Sequence, residues 1–338
     1  MMVDLATEYL GLHLAHPIVP SASPLTRELD KARQLEDAGA PALVMHSLFE
    51  EETRNEAEHF SRFLVEQSIG HAEADSFHPE PVEFRTELDN YLAQLQKLKQ
   101  SLSIPIIASL NGISMDGWVD HGKELQAAGA DALELNVYYI PASIDESGTE
   151  VEGRYIELLT ELRHHVSIPI TMKLSSQFSS VAHMVKKLQQ AGASGVVCFN
   201  RFYQPDIDLE SLHVKSRLEY SSSIEALLRI RWIAILYGQV NLSLAITGGV
   251  HGAKEVVKGL MAGADVTHVC SELLTKGPQR IAQIRDELNN WLEEHEYESV
   301  KQIKGSVSYK NAIDASYYER ANYLNVLDSY TPAQGVWR

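Results

Sequence analysis

The stretch IPITMKLSSQFSSVAHMVKKLQQAGASGVVCFN, residues 168–200, carries the pattern that decides the fold. It opens on a short apolar and β-branched run, IPITMKL, bounded by turn residues. A segment with helical spacing follows, VAHMVKKLQQ, and ends in Ala-Gly-Ala, where glycine takes a left-handed conformation at little cost. A second apolar run, SGVVCFN, starts at Ser194. Short apolar runs of this kind are what strands buried on both faces of a parallel sheet look like.

The same unit recurs on either side. Apolar runs start at Pro17 (PIVPSA), Pro41 (PALVMHS), Ile104 (IPIIASLNG), Asp131 (DALELNV), Leu242 (LSLAITGG) and Asp265 (DVTHVCS). Helical patterns such as ELDKARQLEDAGA, WVDHGKELQAAGA and AKEVVKGLMAGAD lie between them, and Asp or Ser often opens the next run. Eight strands, each followed by a helix, predict a closed (β/α)8 TIM barrel spanning residues 1–338 as one domain. An open doubly wound sheet shares the alternation, but no GxGxxG follows the first strand. Two segments exceed the barrel minimum, residues 50–86 and 201–223, and both should emerge on the C-terminal face, where barrels build their sites. The tail after Leu292 reads as a final loop and a short helix.

Composition narrows the function classes. A formal charge of −17 over 338 residues disfavours nucleic acid or an anionic membrane surface as the main partner. The two cysteines, Cys198 and Cys270, sit inside apolar runs, which implies a reducing compartment rather than a disulfide framework. With no apolar stretch long enough for a leader or a span, the expected location is the cytoplasm.

Chemistry gathers at the expected strand ends. Gly248 and Gly249 close strand seven before a helix, and Cys270 and Ser271 do the same after strand eight. The loops after these two strands commonly offer backbone N–H groups to a phosphate, although tight turns without a ligand would read alike. In TMKLS, Thr171 and Lys173 share one strand face. If that face points inward, the ammonium needs an anionic partner, either a ligand or Glu134 on strand four. Asn136 alternates in phase with Glu134. Asn111, Ser47, His46 and Asn200 stand at other strand ends and complete a polar ring. The remaining histidines lack carboxylates at metal spacing, so no metal is expected.

The ordered motifs GLHLAHPIVPSAS, DALELN, IPITMKL, ITGG with VCSELLTKGP, and WLEEHEYESVKQIKGSVS resemble the soluble class of the dihydroorotate dehydrogenase family. The resemblance implies an FMN barrel. It places the cofactor phosphate at Gly248, Gly249, Cys270 and Ser271, and the flavin ring at Lys173, Asn136 and the Ser21-Ala22-Ser23 loop. Ser47 and Asn111 join the cofactor set, and Asn200 and His46 fall near substrate. The implied reaction oxidises dihydroorotate, or a related cyclic dihydropyrimidine-like substrate, by hydride transfer to flavin. An unnamed electron acceptor and a homodimer are the implied partners.

The sequence departs from the family where a base is needed. Glu134-Leu135-Asn136 continues as Val137-Tyr138-Tyr139-Ile140-Pro141, which puts Tyr139 at the position of the usual Cys or Ser base. His46 replaces the lysine usual after strand two. Tyr139 and His46 are therefore the candidate catalytic residues. A phenol near its unperturbed ~10 is a poor base at neutral pH, and an aromatic wall over the flavin is the alternative role for Tyr138 and Tyr139. Two other functions fit the altered half: a flavoprotein module of a larger redox complex, or a non-redox barrel enzyme binding a phosphorylated substrate.

Overall fold

A computed structural model describes residues 3–53, 86–112 and 118–329. Its centre is an eight-stranded parallel sheet. The strands are β3 (Ile18–Pro20), β4 (Leu43–Phe49), β5 (Ile106–Asn111), β6 (Ala132–Asn136), β7 (Ile170–Leu174), β8 (Gly195–Cys198), β11 (Ser243–Thr247) and β12 (Val266–Val269). Around the sheet the order is β3-β12-β11-β8-β7-β6-β5-β4, so neighbours in the chain are neighbours in the sheet and the last strand pairs with the first. This is the nearly closed (β/α)8 barrel that the repeating unit predicts.

Helices α1 (Leu29–Asp37), α2 (Glu87–Ser101), α3 (Trp118–Ala127), α4 (Gly148–His165), α5 (Val181–Gln190), α6 (Ala226–Leu236) and α7 (Ala253–Ala262) cover the outside. Helix α5 shows why: its buried residues are Val181, Met184, Val185 and Leu188, one stripe at helical spacing. Thr86 and Ser147 start α2 and α4 with reciprocal capping boxes. The glycines of the Ala-Gly-Ala endings take φ of +92° to +119°, as their role as helix stops requires.

The residue after three of the four Ala-Gly-Ala endings has a task that the sequence shows only as a recurring Asp or Ser. Asp131 accepts the N–H of Ile106 at 2.7 Å, Ser194 that of Ile170 at 3.3 Å, and Asp265 that of Leu244 at 2.7 Å. Each side chain ties the start of its own strand to the start of the preceding one. Lys99 pairs with Asp131 at 2.6 Å, and Lys304 from the tail pairs with Asp265.

Two cores result. The larger lies between sheet and helices and holds Met172 and Leu174 of β7. The smaller fills the barrel with Val19, Val44, Ile107, Ala132, Val197, Ala245 and Val266. A hairpin of β1 (Thr7–Tyr9) and β2 (Leu12–Leu14) closes its N-terminal end with Tyr9, Leu10 and Leu14. A Cβ on Gly195 would stand 2.7 Å from Leu10, so glycine there lets the hairpin seat.

The second insertion forms another hairpin, β9 (Pro205–Asp208) with β10 (His213–Ser216). Residues 54–85 of the first insertion lie outside the described residues. Beyond α8 (Ser271–Lys276) and α9 (Arg280–Glu294), the tail carries α10 (Val300–Ile303) and α11 (Ala321–Ser329). No helix among the described residues is long and apolar enough to cross a membrane.

Asp131→Ala should destabilise the protein by about 1–3 kcal/mol, because the Ile106 N–H loses its acceptor. Urea unfolding measures this. Asp131→Asn should recover part of the loss, since its amide oxygen still accepts; equal stability of all three proteins would mean that water satisfies the strand end.

Candidate active site

At the C-terminal ends of the strands the barrel opens into a cavity of about 920 Å³, within the range of small-molecule sites. Strand alternation aims its polar groups. On β6, Ala132, Glu134 and Asn136 face the barrel axis, and on β7 Thr171 and Lys173 do, while the residues between them join the outer core. Asn111, Asn136, Lys173 and Asn200 reach the cavity, and the Asn200 amide donates to Asn136 Oδ1 at 2.7 Å.

Lys173 spans two environments. Its Nζ lies 3.2 Å from Glu134 Oε1, with the two side chains 8% and 0% exposed, and it also lines the cavity. Both partners considered for it in the sequence are therefore compatible: an internal carboxylate below and open ligand space above. His268 completes this floor. Its Nδ1 is 3.7 Å from Glu134 Oε2, and burial pushes the imidazole down to about 4, against the attraction of Glu134. It is neutral at physiological pH.

Opposite stands a cradle. Gly248 and Gly249 take φ of +87° and +82°, a conformation that side-chain-bearing residues rarely adopt. A Cβ on Gly249 would meet Ala226 N at 2.5 Å and Ser222 O at 2.9 Å. Among the described residues, no acceptor takes the N–H of Gly249, Val250 or Ser271. Behind the cradle Arg229, 7% exposed, donates to Thr247 O at 3.1 Å and to Glu225 O at 2.8 Å. Burial draws its guanidinium below the usual arginine range, though an arginine stays charged. Ser221 and Ser271 border the cradle, their hydroxyl oxygens 3.1 Å apart.

Ser21, Ala22, Ser23, Ser47, Cys270 and Ser271 line the same cavity as Gly248, Gly249, Lys173 and the three asparagines. The two candidate bases do not join them. A β-bulge in β4 shifts the register between Val44 and Ser47, so Ser47 takes the inward place and hydrogen-bonds Ser109 at 2.9 Å. His46 turns outward onto Tyr91, ring centroids 4.9 Å apart, and burial pushes it down to about 4. Tyr139 also points away. It donates to Glu146 at 2.5 Å beneath the Arg154 guanidinium, and that hydrogen bond raises its pKa further. The expectation that either residue sits at the reacting centre is corrected by this geometry.

Tyr138 enters the cavity instead, stacked on Phe202 at 4.0 Å, and Tyr203 lies beside it. The aromatic-wall alternative thus has a geometric counterpart, made by the first tyrosine of the pair. Cys270 is at the cavity wall, with burial raising its pKa. Sequence reasoning missed Ser221, Arg229 and His268. Arg229 left a signal, one of two cations in the otherwise apolar helix ALLRIRWIAIL; Ser221 left none, because the insertion that carries it has no periodicity.

Known proteins share this arrangement in sequence. The family model for dihydroorotate dehydrogenase matches residues 85–292. The dihydroorotate dehydrogenase B (NAD(+)), catalytic subunit, of Thermoplasma acidophilum is 22% identical over 309 residues, covering 90% of this chain and 99% of that protein. Its counterpart in Shouchella clausii is 26% identical over 210 residues, 60% of this chain and 68% of that protein. The dihydroorotate dehydrogenase A (fumarate) of Lactobacillus delbrueckii subsp. bulgaricus is 29% identical over 229 residues, 64% of this chain and 72% of that protein. The matched segment runs from α2 to α9 and takes in the asparagine ring, the lysine and the glycine cradle: the chain belongs to the dihydroorotate dehydrogenase family.

Proposed function

We propose that the cavity holds FMN and that the protein is an FMN-dependent oxidoreductase acting on a C–C bond of a cyclic dihydropyrimidine-like substrate. The carrying observation is the pairing, in one cavity, of a glycine cradle with free N–H groups and a buried lysine that faces open space. The residues fit the group: Gly248, Gly249, Ser221 and Ser271 offer donors to a phosphate, with Arg229 adding positive potential from behind. Lys173, Asn136 and Asn200 offer donors and acceptors to a heteroaromatic ring. When bound, FMN supplies a two-electron acceptor for hydride.

The protein's own part is to orient, to exclude water and to hold charge. Lys173 is fixed by Glu134, so its ammonium needs no reorganisation as negative charge develops above it. Tyr138, backed by Phe202, and Tyr203 wall one side and limit water. Proton removal is the weak point. Besides the phenols Tyr138, Tyr203 and Tyr220, the described titratable lining groups are Lys173, Arg201, Glu51, Glu52, Glu219, His268 and Cys270. Burial raises Tyr203 and Cys270 and pushes His268 down to about 4, and a carboxylate is a weak base for a carbon acid near neutrality.

Charge also selects substrate. Glu51 and Glu52 line the cavity, Glu225 neutralises Arg201 at 3.1 Å, and Glu134 neutralises Lys173. A carboxylated ring such as dihydroorotate meets no unpaired cation among the described lining residues, whereas an uncharged dihydropyrimidine is not repelled. The acceptor that removes the electrons is a small molecule or a second subunit, the two routes suggested by the relatives' names.

The purified protein should be yellow and release about one FMN per chain on heating, as chromatography of the supernatant will tell. A colourless protein that FMN does not reconstitute overturns this function. Under anaerobic conditions at neutral pH, an uncharged dihydropyrimidine should reduce the flavin faster than dihydroorotate. Dihydroorotate should be slower than with a positioned base by a factor on the order of 10²–10⁴. Rapid bleaching by dihydroorotate at pH 7 would refute the charge argument.

Removing Lys173 alone strands a buried carboxylate at a cost of about 3–5 kcal/mol. The informative variant is therefore Lys173→Ala with Glu134→Gln. It should fold, yet bind FMN more weakly or reduce it about 10²-fold more slowly. An unchanged flavin affinity and reduction rate would place the ring away from Lys173.

A further inference from the structure

Ser221, His251 and Glu272 form a hydrogen-bonded line that ends at the glycine cradle. Ser221 Oγ lies 3.1 Å from His251 Nε2, and His251 Nδ1 lies 3.2 Å from Glu272 Oε2. Glu272 is 3% exposed, and its other oxygen accepts from Lys276 at 2.7 Å and Arg280 at 2.8 Å. Burial would raise this carboxyl, but the hydrogen bonds from Lys276, Arg280 and His251 outweigh it and hold the group below the usual range. A carboxylate only accepts, so Nδ1 carries hydrogen in every state and the tautomer is fixed.

The direction of the next bonds then depends on one proton. With a neutral imidazole, Nε2 is an acceptor, and the Ser221 hydroxyl must donate to it. Ser271 Oγ accepts the Ser221 backbone N–H at 3.3 Å, and when its hydroxyl donates to Ser221 Oγ both hydroxyl protons are spent inside the line and oxygen lone pairs face the cradle. With an imidazolium, Nε2–H donates to Ser221 Oγ, and the Ser221 and Ser271 hydroxyls are released to donate into the cavity. Lone pairs repel a phosphate; O–H groups bind it.

We propose that His251, acting through Ser221 and Ser271, is a positioning residue that couples phosphate-monoester binding at the cradle to the uptake of one proton. The inference rests on the cofactor reading above and adds the control of that site. Its geometry permits titration while the site is filled: His251 does not line the cavity but an outer groove, and its side chain is 23% exposed.

Charges of both signs surround it. Glu272, Lys276 and Arg280 face it from α8 and α9; Glu255 accepts its backbone N–H at 3.4 Å, and Arg280 donates to its carbonyl at 3.2 Å. Glu287 binds Arg280 at 2.6 Å, and Lys254 and Glu294 line the same groove. Phosphate binding should raise the pH at which His251 ionises, and affinity should fall as pH rises through that point. The phosphate's own second ionisation, near ~6 for a monoester, acts in the opposite sense.

The test compares FMN with riboflavin, which lacks only the phosphate, by fluorescence titration of the cofactor-depleted full-length chain between about pH 5 and pH 8, the imidazole range. Relative to His251→Phe, which keeps only the phosphate's own rise with pH, the preference for FMN in the unaltered protein should fall with pH, by at most about tenfold per unit for one coupled proton. His251→Phe should show a small preference. His251→Gln, whose amide donates to Ser221 at every pH, should restore a larger preference with the pH slope of His251→Phe. The same pH slope in the unaltered protein and in His251→Phe overturns the proposal. If neither flavin binds, the cofactor reading fails separately, and inorganic phosphate decides. A phosphate-induced rise in the His251 ionisation pH, followed by imidazole NMR, supports the coupling, and no change overturns it.

Discussion

Glu134 has no exposed surface, and a carboxylate at the axis of a barrel is tolerable only when a cation reaches it. Lys173 does so at 3.2 Å from the neighbouring strand. That pair fixes how the upper half of the molecule is built. The ammonium is pinned between the aliphatic layer below and the cavity above, His268 is kept neutral beside it, and the asparagines of β5 and β6 stand one step higher on the same face. The floor of the cavity is thus polar yet rigid, as a site must be if it is to hold a ring without reorganising.

The cavity has two ends with different electrostatic characters. Around the cradle the cations Arg229, Lys276 and Arg280 gather in a protein of net charge −17, each held by a carboxylate of Glu225, Glu272 or Glu287. Near the mouth, Glu51 and Glu52 carry the opposite sign. A ligand anionic at one end and neutral at the other is oriented by this field before it makes any hydrogen bond.

Much of this was legible in the sequence because the barrel unit repeats. Period and punctuation give the strands, the Ala-Gly-Ala endings give the helix stops, and strand alternation gives the inward faces of β6 and β7. The misreadings have local causes. The resemblance puts His46 where the family has a lysine after strand two, but a bulge between Val44 and Ser47 gives the inward place to Ser47. Tyr139 was placed by alignment of a motif, but β6 ends at Asn136, and beyond a strand end alternation no longer fixes direction. There Glu146 and Arg154 capture the phenol, contacts that only the folded α4 brings near. Arg229, Ser221 and His251 converge from three separate elements, a proximity that no spacing in one chain announces.

The β1–β2 hairpin seals the other end of the barrel, with Leu10 lodged against Gly195. Among the described residues, traffic to the interior is therefore one-sided. Whatever donates electrons and whatever removes them must use the same doorway in turn, unless the second reaches the flavin edge without entering. A single-door vessel of this kind imposes alternation on its visitors: with a cofactor held in the cavity, the first product would depart before the second reactant arrived. Steady-state rates measured against both reactants would then take the form of parallel lines in a double-reciprocal plot, a kinetic pattern dictated by the short hairpin that plugs the base.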